Sequence, residues 1–175
     1  MSNIYFSSDH HFFHKNIIKY CNRPFHTVDE MNSFMIAKWN EVVKPQDIVY
    51  YLGDFAFARY EQILPIFNSL NGTKVLSSIG NHDGGSIKQL PWVSKHKNSS
   101  FFNTDWHYMS HFPDDIISEF DRCKYKYKYY FHGHCHNTLP NTSKKIDVGV
   151  DCWNYAPVSF EQLEAKMKAT VDPNH

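Results

Sequence analysis

Val75-Leu76-Ser77-Ser78-Ile79-Gly80-Asn81-His82-Asp83 carries an apolar run across a glycine into three consecutive polar side chains. A buried strand that breaks in this way leaves a carboxamide, an imidazole and a carboxylate at a sheet edge, where α/β proteins place their ligands. Four other segments end alike. Ile4-Tyr5-Phe6 runs into Ser7-Ser8-Asp9-His10-His11, and Ile48 to Leu52 runs into Gly53-Asp54. Trp106 to Ser110 leads to His111-Phe112-Pro113, and Tyr129-Tyr130-Phe131 leads to His132-Gly133-His134-Cys135-His136. Five apolar segments thus deliver oxygen and nitrogen ligands at one end each, a pattern that reads as a metal site.

Working outward, residues 3–8 form a first strand. In extended chain, Asp9 and His11 share a face and His10 points away. Residues 12–20 are expected to turn into a short helix carrying His14, followed by a loop over Asn22-Arg23-Pro24-Phe25-His26. Thr27 and Glu30 have capping-box spacing. Met31, Met35, Trp39 and Val42 then recur at helical spacing up to Pro45. Strands are expected at 47–52 and 73–79, with a helix over 60–70 in which Pro65 marks either a kink or the true first turn. Asn71-Gly72 is a turn. Strand–helix–strand order favours parallel pairing.

Beyond Gly84-Gly85, residues 99–103 and 106–112 read as strands joined by a tight turn. Lys124 to Tyr129 alternates strictly and reads as a strand with an apolar and a charged face. Residues 145–150 form a last strand. Ser159 and Gln162 open a final helix over about 160–167, before a polar tail.

At 175 residues the chain fits one domain, 1–175, with no room for a separate cap domain. A formal net charge of zero gathers neither nucleic acid nor membrane by long-range attraction. The four cysteines form no framework spacing, and the N-terminus has no basic region before an apolar core, so a reduced, cytoplasmic chain is expected. No apolar run approaches a membrane span.

Taken singly, Asp-x-His or Gly-Asp says little. In this order, Asp9-x-His11, Gly53-Asp54, Gly80-Asn81-His82-Asp83, His111 and Gly133-His134-x-His136 resemble the calcineurin-like metallophosphoesterase superfamily, from about residue 4 to residue 160. Arg23-Pro24-Phe25 and the block from Val148 to Val158 resemble its small bacterial and phage phosphoesterases, implying a bacterial or phage-infected host cytoplasm. The protein serine/threonine phosphatase branch is disfavoured by Gly53-Asp54-Phe55-Ala56-Phe57 and by Asp83.

The resemblance implies a four-layer α/β/β/α sandwich with two mixed central sheets and two divalent metal ions. Asp9, His11 and His136 would hold one ion, Asn81, His111 and His134 the other, and Asp54 both, fixing a separation of roughly 3.5–4 Å. Mn²⁺ suits this oxygen and nitrogen set first, with Fe or Zn²⁺ as alternatives. The implied reaction is hydrolysis of a phosphodiester or phosphomonoester of a small, nucleotide-like substrate. A metal-bridging hydroxide attacks in line, with His82 as general acid. Asp83 either orients His82 or caps the helix that follows, and Arg23 is expected to reach substrate phosphate. His14 is a phosphate contact or a hydrogen-bonded structural histidine. Asp151 is supportive rather than a ligand, Cys135 a small buried residue and Trp153 a packing anchor. Asn154 lies after the last strand, and His26, His96, His107 and His132 belong to surface or packing. A metal-dependent nuclease and a non-catalytic metal-bearing interaction module are the alternatives. Neutral charge counts against the first, and a retained His82 against the second.

Overall fold

Period-two alternation of apolar side chains builds two sheets from short strands, and period-four spacing builds the helices that cover them. The computed structural model describes residues 2–95, 98–102, 104–123 and 126–170. His96, Asn103, Lys124, Tyr125 and the polar tail from residue 171 lie outside the described residues. The first half contains β1 (Ile4–Ser7), α1 (Ile17–Tyr20), α2 (Val28–Val42), β2 (Ile48–Tyr51), α3 (Tyr60–Ser69), β3 (Thr73–Leu76), α4 (Gly85–Gln89) and β4 (Ser94–Lys95). The second contains β5 (Ser99–Phe102), β6 (Asp105–Met109), α5 (Pro113–Arg122), β7 (Tyr130–His132), β8 (Lys145–Asp147), β9 (Val158–Ser159) and α6 (Phe160–Ala169).

The chain is α/β with two mixed sheets. One has strand order β4-β3-β2-β1-β9 and the other β5-β6-β7-β8. Within the first, β1 to β4 pair in parallel and β9 joins β1 antiparallel. In the second, β6, β7 and β8 are parallel and β5 is antiparallel to β6. Because β1, β2 and β3 run alike, as do β6, β7 and β8, the turns that follow the strands of each set gather at one edge.

Among the described residues, three apolar clusters fill the spaces between elements. Val49, Tyr51 and Leu76 pack against Met31, Met35 and Trp39 of α2, Ile63 and Phe67 of α3 and Ile87 of α4. The opposite parity, Phe6 and Tyr50, meets Phe102, Met109, Phe131 and Ile146 of the second sheet, with Phe160, Leu163 and Met167 of α6 alongside. Tyr130 and Tyr108 point the other way, toward Ile116 and Phe120 of α5.

Local chemistry explains the helix ends. The Thr27 hydroxyl accepts from Glu30 N at 3.1 Å, while the Glu30 carboxylate takes His26 N rather than closing a full box. At α6, Ser159 and Gln162 satisfy each other's amides reciprocally, a cap worth about 1 kcal/mol.

Several expectations need correction. The helix expected over 12–20 is confined to Ile17–Tyr20, so His14 lies ahead of it. Pro65 sits inside α3 rather than at its start. Residues 126–129 are not strand, although Tyr127 and Tyr129 are buried and Lys126 is exposed, as the alternation requires. The strand expected over 145–150 ends at Asp147 and passes into a 3-10 turn, Val150–Cys152, and the chain's last strand is β9. Helix α5 was not anticipated, although Pro113 at its first position and Asp114 and Asp115 in its first turn are start signals.

Candidate metal centre

The turns after β1, β2, β3, β6 and β7 converge, and backbone contacts between them set the spacing. Asp9 N donates to Gly53 O at 3.0 Å and His11 N to Asp54 O at 3.1 Å. Asp9, His11, Asp54, His134 and His136 all have φ between +45° and +70°. Left-handed backbone in such residues costs on the order of 1–3 kcal/mol each and persists only where surrounding contacts enforce it. Asp9 and His11 therefore share the site through a strained turn, not through the i, i+2 face of a strand. His10 does point away, into the core, with its Nδ1 3.0 Å from the Tyr51 hydroxyl.

Glycine is required where the turns touch. A Cβ at Gly80 would collide with the Asp54 carboxylate, and one at Gly133 with Ser8 Oγ and Asp9.

Asp54 lies at the centre. Its Oδ1 accepts from His82 N at 2.8 Å, leaving Oδ2 3.5 Å from His11 Nε2 and 3.3 Å from His111 Nε2. His111 Nδ1 is 3.0 Å from the Leu52 carbonyl. A carbonyl only accepts, so Nδ1 carries the hydrogen and a neutral His111 turns its Nε2 lone pair toward the carboxylate. Both imidazole Nε2 atoms are buried without a hydrogen-bond partner among the described residues. Lone pairs facing an ionised oxygen at this distance call for a cation between them. Ligand atoms of Asp9, His11 and His136 group within 4.8 Å of one another, as do those of Asp54, His111 and His134, and of His11, Asp54 and His82. These buried histidine and aspartate groups fit metal ions.

Asp9 accepts from His134 N through both oxygens, at 3.1 and 3.0 Å. Burial raises its pKa to about 6. For His136, burial is outweighed by the hydrogen bond to Asp151, which with Cys21 and Asp9 lifts it to about 10.

Asn81, exposed at the centre, lines the same depression as His11, His14, Asp54, His82, His134 and His136. His82 is also exposed there, its ring centroid 5.2 Å from that of His11 and 5.4 Å from that of His14. Cys135 is half-buried and lines the depression, not buried as expected. Trp153 anchors through Nε1 to Asp147 O at 2.9 Å, and His107 and His132 are buried in packing.

Two expected roles are corrected. Asp83 neither orients His82 nor caps α4. Its carboxylate accepts from Asp54 N at 2.7 Å, Phe55 N at 2.9 Å and Gly80 N at 2.9 Å, clamping the turns after β2 and β3 together. Arg23 is buried, and its guanidinium is spent on partners within the protein. Nε and Nη2 grip Asp151 at 2.8 and 2.7 Å, and the guanidinium also donates to the carbonyls of His10 and Asp9. Asp151 in turn accepts from His136 Nδ1 at 2.7 Å. This support was legible only as two separate blocks, Arg23-Pro24-Phe25 and Val148 to Val158, whose contact is tertiary.

Fold and site together define an α/β protein with two mixed sheets and a buried His/Asp centre able to hold metal ions. No family model matches the chain. The uncharacterized protein MJ1445 of Methanocaldococcus jannaschii is 36% identical over 174 residues, covering 93% of this chain and 90% of its own, and the chain belongs to the family of that protein. A solved structure of AQ665 from Aquifex aeolicus, a protein of unknown function, matches with a TM-score of 0.75 at 24% identity over 95% of this chain and all of that one. An archaeal phosphodiesterase matches with a TM-score of 0.51 at 17% identity, over 84% of this chain and 83% of its own. These likenesses concern the fold. No described helix is long and apolar enough to cross a membrane.

Proposed function

We propose that this chain is a metal-dependent phosphoesterase with a four-layer α/β/β/α sandwich of the calcineurin-like kind, hydrolysing small phosphodiesters or phosphomonoesters. One observation carries the reading: Asp54 Oδ2 sits between the unpartnered Nε2 atoms of His11 and His111. A carboxylate shared in this way is what a pair of cations needs to lie side by side. The fold likeness to an archaeal phosphodiesterase supports it.

Asp9, His11 and His136 would hold one ion, Asn81, His111 and His134 the second, and Asp54 both. Bound there, divalent ions, Mn²⁺ in first place, would supply Lewis acidity to a phosphoryl oxygen and acidify an attacking water. The protein's own residues do the rest. His82, at the rim, donates a proton to the leaving oxygen as its bond to phosphorus breaks and the bond from water's oxygen forms. The proton lost by the water restores His82, so the products are the free alcohol and the phosphate. Arg23 and Asp151 hold His136 in orientation, and Asp83 keeps Asp54 and the Gly80 turn in register.

The test is hydrolysis of bis(p-nitrophenyl) phosphate and p-nitrophenyl phosphate with Mn²⁺, Zn²⁺ or Fe²⁺, beside His82→Ala and metal counting by calorimetry. The expected result is turnover that falls by about 10²–10⁴-fold in His82→Ala, with two ions still bound. Unchanged rates would remove His82 as the acid, and failure of the wild type to bind two ions would overturn the reading.

A further inference from the structure

A second cavity opens on the far side of His82. Its volume is about 550 Å³, and Phe13, Ala56, Phe57, Arg59, Gln62 and Ser86 are among its walls, with His82 as the wall it shares with the metal-facing depression. That size lies within the roughly 300–1,000 Å³ of small-molecule sites. Phe57 is 59% exposed, unusual for a phenyl ring, and its centroid is 5.1 Å from His14 and 6.2 Å from His82. Among the described residues, no carboxylate lines the cavity, and Arg59 supplies a cation.

Resting on the phosphoesterase reading, we infer that this cavity is a leaving-group subsite that takes a nucleoside, its base stacked on Phe57. In-line displacement sends the departing oxygen away from the attacking water and toward the group that protonates it. With His82 as that group, whatever is attached to the departing oxygen extends past the imidazole and enters this cavity. An aliphatic alcohol would leave the Phe57 face in water and make no use of the Arg59 guanidinium or the Gln62 amide NH₂. A nucleoside offers a planar ring for Phe57 and edge donors and acceptors for Gln62 and Ser86. Arg59 complements a further phosphate. The subsite is assembled chiefly by the turn after β2 and the starts of α3 and α4, with Phe13 and His82 completing its walls, and none of the seven side chains assigned to the ions lines it.

Two measurements test this. Adenosine, which has no phosphate to engage a metal, is titrated into the metal-free chain by saturation-transfer NMR, with Phe57→Ala and Phe57→Trp beside the wild type. The expected result is saturable binding by the wild type and Phe57→Trp, weakened about tenfold in Phe57→Ala, the loss of one base–aromatic stack. With Mn²⁺, kcat/KM is then compared for a dinucleoside monophosphate and for bis(glycerol) phosphate, two unactivated diesters. The dinucleoside ester is expected to be preferred, and the preference to shrink about tenfold in Phe57→Ala. Cleavage of both esters with an unaltered ratio, or no adenosine binding, overturns the subsite and leaves the phosphoesterase reading standing. Adenosine binding that depends on Phe57 without cleavage of either ester supports the nucleoside cavity and overturns the hydrolytic reading.

Discussion

Asp151 Oδ2 lies 2.7 Å from His136 Nδ1, and the same oxygen lies 2.7 Å from Arg23 Nη2. Arg23 and Asp151 are 128 positions apart in the chain. The guanidinium holds the carboxylate, the carboxylate holds the imidazole through Nδ1, and Nε2 is the His136 nitrogen left for other work. Burial disfavours the Asp151 charge, yet His136 and Arg23 hold its pKa at about 2, so it stays an acceptor throughout the working range.

Asp151→Asn should therefore weaken metal binding without dismantling the centre. Partners of this kind are worth about 10–100-fold in metal affinity, and calorimetric titration with Mn²⁺ should show a loss of that size at the ion held by His136. Arg23→Lys, which cannot form the two-pronged contact, should give a smaller loss in the same direction. Wild-type affinity in Asp151→Asn would mean that His136 is oriented by its turn alone.

Metal should stabilise the fold through Asp54. A ligand that binds only the native state adds about 2.7 kcal/mol at a hundred times its Kd, so the thermal midpoint should rise with Mn²⁺ and fall back with chelator. Asp54→Asn should abolish that rise while leaving the metal-free chain as stable or more so, because the amide relieves the lone-pair confrontation with His11 and His111. A metal-free variant that unfolds far earlier than the wild type would show Asp54 to be a structural keystone instead.

Asp83→Asn should cost stability in the metal-free chain. Three backbone amides point at this carboxylate, and an asparagine must turn its NH₂ toward at least one of them. Unsatisfied buried donors cost about 1–3 kcal/mol each, so urea unfolding should show a loss of about 2–3 kcal/mol. A change within the error of the measurement would mean that the two turns are held by other contacts.

His107 should make the fold acid-sensitive. Its ring is fully buried, stacked 4.2 Å from Phe102 and 5.7 Å from Phe131, and among the described residues no side chain or backbone group hydrogen-bonds either nitrogen. Burial lowers its pKa from 6.5 to about 4. Above 6.5 the ring is neutral folded or unfolded and has no effect. Between 6.5 and about 4 the unfolded chain takes up a proton that the folded chain refuses, so stability falls with pH, by on the order of 3 kcal/mol at most. His107→Leu should flatten that part of the profile in urea unfolding at stepped pH. An unchanged slope would assign the acid sensitivity to other groups.

How much of this was legible in the chain depends on how local the cause is. Met31, Met35 and Trp39 announce α2, Ser159 and Gln162 announce α6, and the alternation in Ile48 to Tyr51 announces a strand, because propensity, caps and side-chain periodicity act within a few residues. Runs of ligand-type residues after apolar segments marked, for the same reason, the histidines and aspartates that the fold groups together, Asp9, His11, Asp54, His111, His134 and His136. The tertiary structure decided the rest. Only contacts between turns far apart in sequence, within the first sheet and across to the second, hold Asp9, His11, Asp54, His134 and His136 in left-handed backbone. They alone spend Asp83 on three amides and send Arg23 to Asp151 instead of to a substrate. Such contacts join residues far apart in sequence, and no local pattern records which partner a buried charge will find.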